Sequence, residues 1–91
     1  MVFARQLRQG IRRGEITRTV RIWQRCHVKV GGRYRMDDGH VVVTAIHPIG
    51  LADITGSLAR QCGFKGVVDL LKIAQHGTGR SVFLIDFHYE K

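Results

Sequence analysis

The chain has 91 residues, 44% of them hydrophobic, which is typical of one globular domain spanning residues 1–91. No apolar run approaches the ~20 residues of a membrane span, and the N-terminus lacks the long apolar region of a signal peptide, so a cytoplasmic protein without a membrane partner is expected. The net charge is +8, and residues 1–35 hold ten Lys or Arg against one acid. This concentration of positive charge predicts a polyanionic partner, RNA or alternatively DNA. A basic surface that only aids solubility would explain the charge as well.

An amphipathic helix is predicted from about residue 2 to residue 13. Its apolar stripe recurs every four residues, at Phe3, Leu7 and Ile11. Its nearly opposite face carries three arginines, Arg5, Arg8 and Arg12. A charged helix face of this kind is usually only solvated. Here no acid lies between the arginines to pair with them, which favours an anionic partner. Gly14 is predicted to end the helix.

A strand is predicted over residues 17–23, where the period of the pattern changes to two. Val20 and Ile22 share a face with Arg18 and suit a core. The other face carries Thr17, Thr19 and Arg21. Their hydroxyls and guanidinium can donate hydrogen bonds to an anion or a carbonyl, which makes this face a candidate binding surface. On spacing alone, a half-buried strand with ordinary polar residues facing outward is the simpler explanation.

A β-hairpin is predicted next. It comprises a short strand over 33–36, a tight turn over 37–39, a valine-rich strand over 40–46 and a break over 48–50. Tyr34 lies between Arg33 and Arg35, and an aromatic residue among cations is common on nucleic-acid-binding surfaces. Tyr34 fits the hydrophobic core equally well.

Two short helices are predicted after the hairpin. Asp53 or Thr55 caps a helix that runs to about residue 62, and a second helix covers residues 67–75. The inward positions are Ile54, Leu58 and Ala59 in the first helix, and Val67 or Val68, Leu71 and Ala74 in the second. Asp69 in the second helix has a lysine three residues on, which predicts an exposed ion pair.

The last predicted strand covers residues 81–89 and follows a flexible loop over 76–80 that lacks the Walker pattern. This strand is predicted to pair with an early strand, because an exposed edge rich in Phe and Ile would be a liability. The order of the elements predicts an α+β fold with mostly antiparallel strands, whose sheet can curl into a small barrel. Cys26-His27 is too sparse for a zinc site and Cys62 stands alone, so no metal and no cofactor are expected.

Taken in order, these features resemble the ASCH family of small PUA-like β-barrels. The resemblance covers nearly the whole chain: the opening helix, Gly14-x-x-Thr17-x-Thr19-x-Arg21, Gly31-Gly32-x-Tyr34-x-Met36, the Asp38-Gly39 turn, the valine-rich strand and the closing run Val82-Phe83-Leu84-Ile85-Asp86-Phe87. It implies a small PUA-like antiparallel β-barrel with an N-terminal helix and two short helices before the last strand. It also implies RNA binding, in RNA metabolism or regulation, in a basic cleft between the barrel and the helices.

In this interpretation the helix arginines hold phosphates, while Thr19 and Arg21 line the cleft. The predicted nucleic-acid contacts are Arg5, Arg8, Arg12, Arg18, Thr19, Arg21, Arg33, Tyr34 and Arg35. One alternative is a nucleic-acid-directed hydrolase of the N4-acetylcytidine amidohydrolase or ribonuclease type. Another is a protein–protein adaptor whose basic half meets an acidic partner.

Some small members of the family resemble amidohydrolases that deacetylate N4-acetylcytidine with a lysine, a threonine and a glutamate. The resemblance aligns Ile16 with the lysine, Thr19 with the threonine and, less directly, Asp69 with the glutamate. Isoleucine can neither donate nor accept a proton. Arg18 stays protonated and faces away from Thr19, so it cannot activate the threonine hydroxyl either. This departure from the family pattern argues against amidohydrolase activity.

Overall fold

The computed structural model of the protein describes residues 1–75 and 78–91. Its elements follow the order α1 (Arg5–Arg12), β1 (Arg18–Trp23), β2 (Arg33–Met36), β3 (Gly39–Ile49), α2 (Gly56–Gln61), α3 (Val67–Ala74) and β4 (Ser81–Glu90). A 3-10 turn, Leu51–Asp53, precedes α2. The predicted α+β class is confirmed. His76 and Gly77 of the predicted flexible loop lie outside the described residues.

Across the described residues, four strands form one antiparallel sheet in the order β1-β4-β3-β2. The central strand β4 pairs with β1, where Arg18 is opposite Asp86, and with β3, where His40 is opposite Glu90. The prediction that the last strand returns to an early strand is therefore confirmed. β1 and β2 remain at opposite edges, so the curled, barrel-like sheet that the sequence predicts is present as an open half-barrel.

The apolar stripe of α1 packs against the sheet. Leu7 and Ile11 are buried, and so is Phe3, whose ring centroid lies 5.4 Å from that of Phe87 on β4. The helix begins at Arg5 and not near residue 2. Ala4, at its N-cap, has an extended backbone and no capping side chain, and Phe3 reaches the core from this extended segment.

Thr55 caps α2, as one of the two predicted alternatives: its Oγ1 accepts a hydrogen bond from Leu58 N at 3.1 Å. Asp53 instead closes the 3-10 turn by accepting a backbone N–H at 2.8 Å from three residues earlier. α2, α3 and the segment before α2 contribute buried residues to the core beside β1: Ile54, Ala59, Leu70 and Ala74. Of the two valines predicted to face inward, Val67 packs on this core and Val68 is exposed.

The strand β3 is longer than predicted. The break predicted over 48–50 is wrong, because β3 continues to Ile49 and Pro48 lies opposite Phe83 of β4. β2 pairs with β3 only as far as Val42, so the later part of β3 is an edge. Proline is tolerated at an edge, since its missing N–H need not serve a ladder hydrogen bond.

Candidate functional site

The arginines of α1 meet the turn between β2 and β3. Arg8 Nη1 lies 3.4 Å from Asp37 Oδ1, and Arg12 donates to Asp37 Oδ2. Arg8 also donates through Nε to Phe3 O at 3.3 Å, and Arg5 is exposed one turn earlier. The side chains of Arg8 and Arg12 remain 37% and 40% exposed, so both are accessible to a ligand despite these contacts.

A constrained two-residue turn places Asp37 beside α1. Asp37 and Asp38 connect Met36 to Gly39, which are paired across the hairpin. Asp37 has a backbone φ of 55°, in the left-handed region where Asp and Asn are among the few tolerated residues other than glycine. A Cβ at Gly39 would lie 2.3 Å from Glu90 O, so only glycine lets β3 begin this close to β4.

Tyr89 of β4 supports the turn. Its hydroxyl is within hydrogen-bond distance of Met36 O, at 3.1 Å, and of Asp38 Oδ1, at 2.9 Å. Lys91 Nζ lies 3.3 Å from Asp38 Oδ2. Hydrogen bonds from Tyr89 and then from Lys91 lower the pKa of Asp38, so this carboxylate stays charged at neutral pH. Asp38 is thus engaged by the C-terminal strand, whereas Asp37 faces α1.

Five basic residues around this turn form what we call the basic face: Arg5, Arg8, Arg12, Arg35 and Lys91. Asp37 lies at its centre, because it lines each of three adjoining depressions. One of about 620 Å³ is walled by the α1 arginines, and another of about 570 Å³ lies between Arg12, Tyr89 and Lys91. The third, of about 200 Å³, includes Arg35. Asp37 and Asp38 offset only part of this positive charge.

Two other predicted contacts are engaged elsewhere. Arg33 Nη1 lies 2.8 Å from Glu90 Oε1 in an exposed ion pair. The Tyr34 hydroxyl accepts a hydrogen bond from Lys29 N at 3.0 Å, and the ring packs on the buried cluster around Trp23. Of the two alternatives for Tyr34, packing on the core is the one observed, and the residue stays half-buried.

Thr19 and Arg21 are buried, with 5% and 7% of their surface exposed. The extended segment before α1 lies against Arg21: Arg21 Nη2 donates to Val2 O at 2.7 Å, and the guanidinium lies 4.9 Å from the centroid of the Phe3 ring. Burial lowers the pKa of Arg21 to about 10. The expectation that Thr19 and Arg21 line an open cleft is wrong. Strand alternation separates two faces but does not reveal that the N-terminal segment folds over the second one.

Arg18 lies on the other face of β1, at a groove of about 490 Å³ that the sequence analysis missed. Its Nε donates to Asp86 Oδ1 at 2.9 Å, and its Nη1 donates to Gln61 Oε1 at 3.1 Å. His47 Nε2 lies 3.1 Å from Asp86 Oδ2. The sequence does contain a signal for this network, because Asp86 is an acid within the otherwise apolar run 82–87. Its partners follow only from the registers of β4 with β1 and β3.

Asp86 is expected to stabilise the fold in a pH-dependent way. Burial raises its pKa, but hydrogen bonds from Arg18 and His47 outweigh burial, so the pKa of Asp86 is lowered. Such a carboxyl adds stability above its unfolded pKa of about 3.9, and this stability is lost as pH falls through the lower folded value. We therefore expect Asp86→Asn to lower the free energy of unfolding by about 1–2 kcal/mol at neutral pH and by less in acid. Urea denaturation at neutral and at acidic pH measures the free energy of unfolding of the wild-type protein and of Asp86→Asn. An equal loss at the two pH values would argue against this role of Asp86.

The residues aligned with the amidohydrolase set are not brought together. Thr19 is buried, whereas Asp69 is exposed on α3 and lines a separate depression. Ile16 packs so closely on α1 that a Cβ at Gly10 would lie 2.7 Å from Ile16 Cδ1. The depression that Asp69 lines includes neither Ile16 nor Thr19.

Comparisons of the chain with models of protein families, with curated proteins and with solved structures find no match. No helix within residues 1–75 and 78–91 is long and apolar enough to cross a membrane. In the same described part of the chain, no three His, Cys, Asp or Glu side chains are grouped as metal ligands, and Cys26 and Cys62 are free thiols. Burial raises the pKa of the Cys62 thiol to about 11, so it stays protonated at neutral pH. Function must therefore be inferred from the basic face and the Arg18 groove themselves.

Proposed function

We propose that this protein is an ASCH-like RNA-binding domain that holds the RNA backbone on its basic face. The observation that carries the proposal is the convergence of the three α1 arginines with Arg35 and Lys91 around one turn. Arginine predominates there, and its planar guanidinium binds phosphate through paired hydrogen bonds. The resemblance of the chain to the ASCH family supports RNA as the polyanion.

The spacing of the α1 arginines suits a nucleic-acid strand lying along the helix. Arg5, Arg8 and Arg12 span roughly 10 Å at about 1.5 Å per residue, so a passing backbone meets the three side chains in turn. Contacts of this kind hold phosphates and carry no base identity. Tyr34, one of the predicted nucleic-acid contacts, is half-buried and packs against the core. Affinity is therefore expected to depend strongly on salt and weakly on RNA sequence.

Replacing Arg5, Arg8 and Arg12 together with alanine is expected to weaken binding of a fluorescein-labelled oligouridylate by about ten-fold or more at low salt. Each lost phosphate contact on a single strand removes about 0.7 from the slope of log affinity against log salt, so the slope should flatten by up to about 2. Fluorescence anisotropy over a series of KCl concentrations measures both quantities.

A control of equal charge combines Arg25→Ala, Arg60→Ala and Arg80→Ala. These three arginines are exposed outside the basic face, so their removal lowers the net charge equally and touches no proposed contact. The control should lose less affinity and keep nearly the wild-type slope, and circular dichroism should find both triple variants folded. Equal losses in the two variants, or no binding by the wild-type protein at low salt, would contradict the proposal.

A further inference from the structure

We infer that the Asp37 carboxylate occupies a phosphate position between Arg8 and Arg12 in the free protein, and that RNA binds there by displacing it. This inference rests on the proposed RNA binding, and it specifies the ligand at this position as a phosphodiester of the RNA backbone. The basic face thus contains its own competitor for the ligand.

The contacts of Asp37 are those that a bridging phosphate would make. Its two carboxylate oxygens turn to different arginines: Oδ1 lies 3.4 Å from Arg8 Nη1, and Oδ2 accepts from Arg12. A phosphodiester also presents two anionic oxygens, and guanidinium groups bind both kinds of anion. The same two arginines can therefore hold the carboxylate or a phosphate. Repulsion between like charges prevents both anions from sharing the position.

Asp37 can leave this position without disturbing the hairpin. Its side chain is 26% exposed, and ion pairs at such a surface are weak and screened by salt. The turn is held by other groups, namely the pairing of Met36 with Gly39 and the Tyr89 hydroxyl. Rotation of one side chain is therefore enough to free Arg8 and Arg12.

The backbone of the turn does not require a carboxylate at position 37. Its φ of 55° is adopted freely by glycine and is tolerated by asparagine as it is by aspartate. Either residue removes the charge while keeping the turn conformation accessible. Asp37→Asn and Asp37→Gly therefore separate the electrostatic role of this side chain from its structural role.

The test titrates the labelled oligouridylate with wild-type protein, Asp37→Asn and Asp37→Gly. Both variants are expected to bind about three- to ten-fold more tightly at low salt, because the competing anion is gone. The salt slope should stay close to that of the wild-type protein, since the same phosphate is neutralised once Asp37 has been displaced. In a background of Arg8→Ala and Arg12→Ala, the gain from Asp37→Asn should vanish, because the phosphate position no longer exists.

Asp69→Asn is the matched control, because it removes one exposed acid from α3, outside the basic face. Through long-range charge alone it should change affinity less than about two-fold. If the Asp37 variants gain no more than Asp69→Asn, displacement is overturned, while RNA binding by the wild-type protein still supports the proposed function. If no form of the protein binds the oligonucleotide, both are overturned.

Discussion

A Gly39→Ala variant is expected to have a free energy of unfolding about 3 kcal/mol below that of the wild-type protein. A Cβ at this position would lie 2.5 Å from the Tyr89 hydroxyl and 2.3 Å from Glu90 O. Tyr89 can rotate away, but Glu90 O belongs to the backbone of β4, so one of the two strands has to move. Overpacking costs about 1–3 kcal/mol in most sites, and a clash with backbone places this one at the upper end.

Gly50 provides the control for this substitution. It has a φ of −94°, and the atom nearest to a Cβ built there is Asp53 Oδ2 at 3.5 Å, an ordinary contact. Gly50→Ala should therefore change the free energy of unfolding by less than about 0.5 kcal/mol. Urea denaturation followed by the fluorescence of Trp23 measures both variants. If Gly39→Ala is as stable as the wild-type protein, the prediction is wrong, and β3 and β4 can move apart at this point to make room for a methyl group.

Local patterns were sufficient to predict the elements that build the basic face. The four-residue spacing of Phe3, Leu7 and Ile11 predicts which side of α1 is buried, and helix geometry then places the arginines on the opposite side. Asp53 and Thr55 are likewise the two residues predicted to cap α2, and Thr55 is the one that does. These inferences succeed because each depends on residues only a few positions apart.

Contacts between distant segments could not be predicted in this way. Arg8 and Asp37 are 29 residues apart, and Arg18 and Asp86 are 68 apart, so their pairing follows only from strand register and helix placement. Arg21 illustrates the same limit, since its strand face is predicted correctly but the N-terminal segment decides that this face is buried. The sequence therefore locates the cations, whereas the fold determines which of them a ligand can reach.

The second large expected effect is the absence of N4-acetylcytidine deacetylation. Purified protein incubated with N4-acetylcytidine should release no cytidine above the buffer blank in a chromatographic assay. Amide hydrolysis by a threonine requires an activated hydroxyl that the substrate can reach. Thr19 is buried, and its Oγ1 lies 3.4 Å from Arg21 Nε, a group that cannot accept a proton. Ile16, which the resemblance aligns with the lysine of those amidohydrolases, cannot transfer one either.

Ile16→Lys is not expected to create this activity. The isoleucine packs against Gly10, so a lysine there either loses that packing or turns to solvent, and in both cases Asp69 stays on the surface of α3. Thr17→Ala, at an exposed threonine just before β1, is the control for Thr19→Ala in the same assay. Turnover at ordinary enzyme rates that Thr19→Ala abolishes and Thr17→Ala retains would require the buried Thr19 to become accessible to the substrate. That result would move the functional site from the basic face to the face of β1 that carries Thr19 and Arg21.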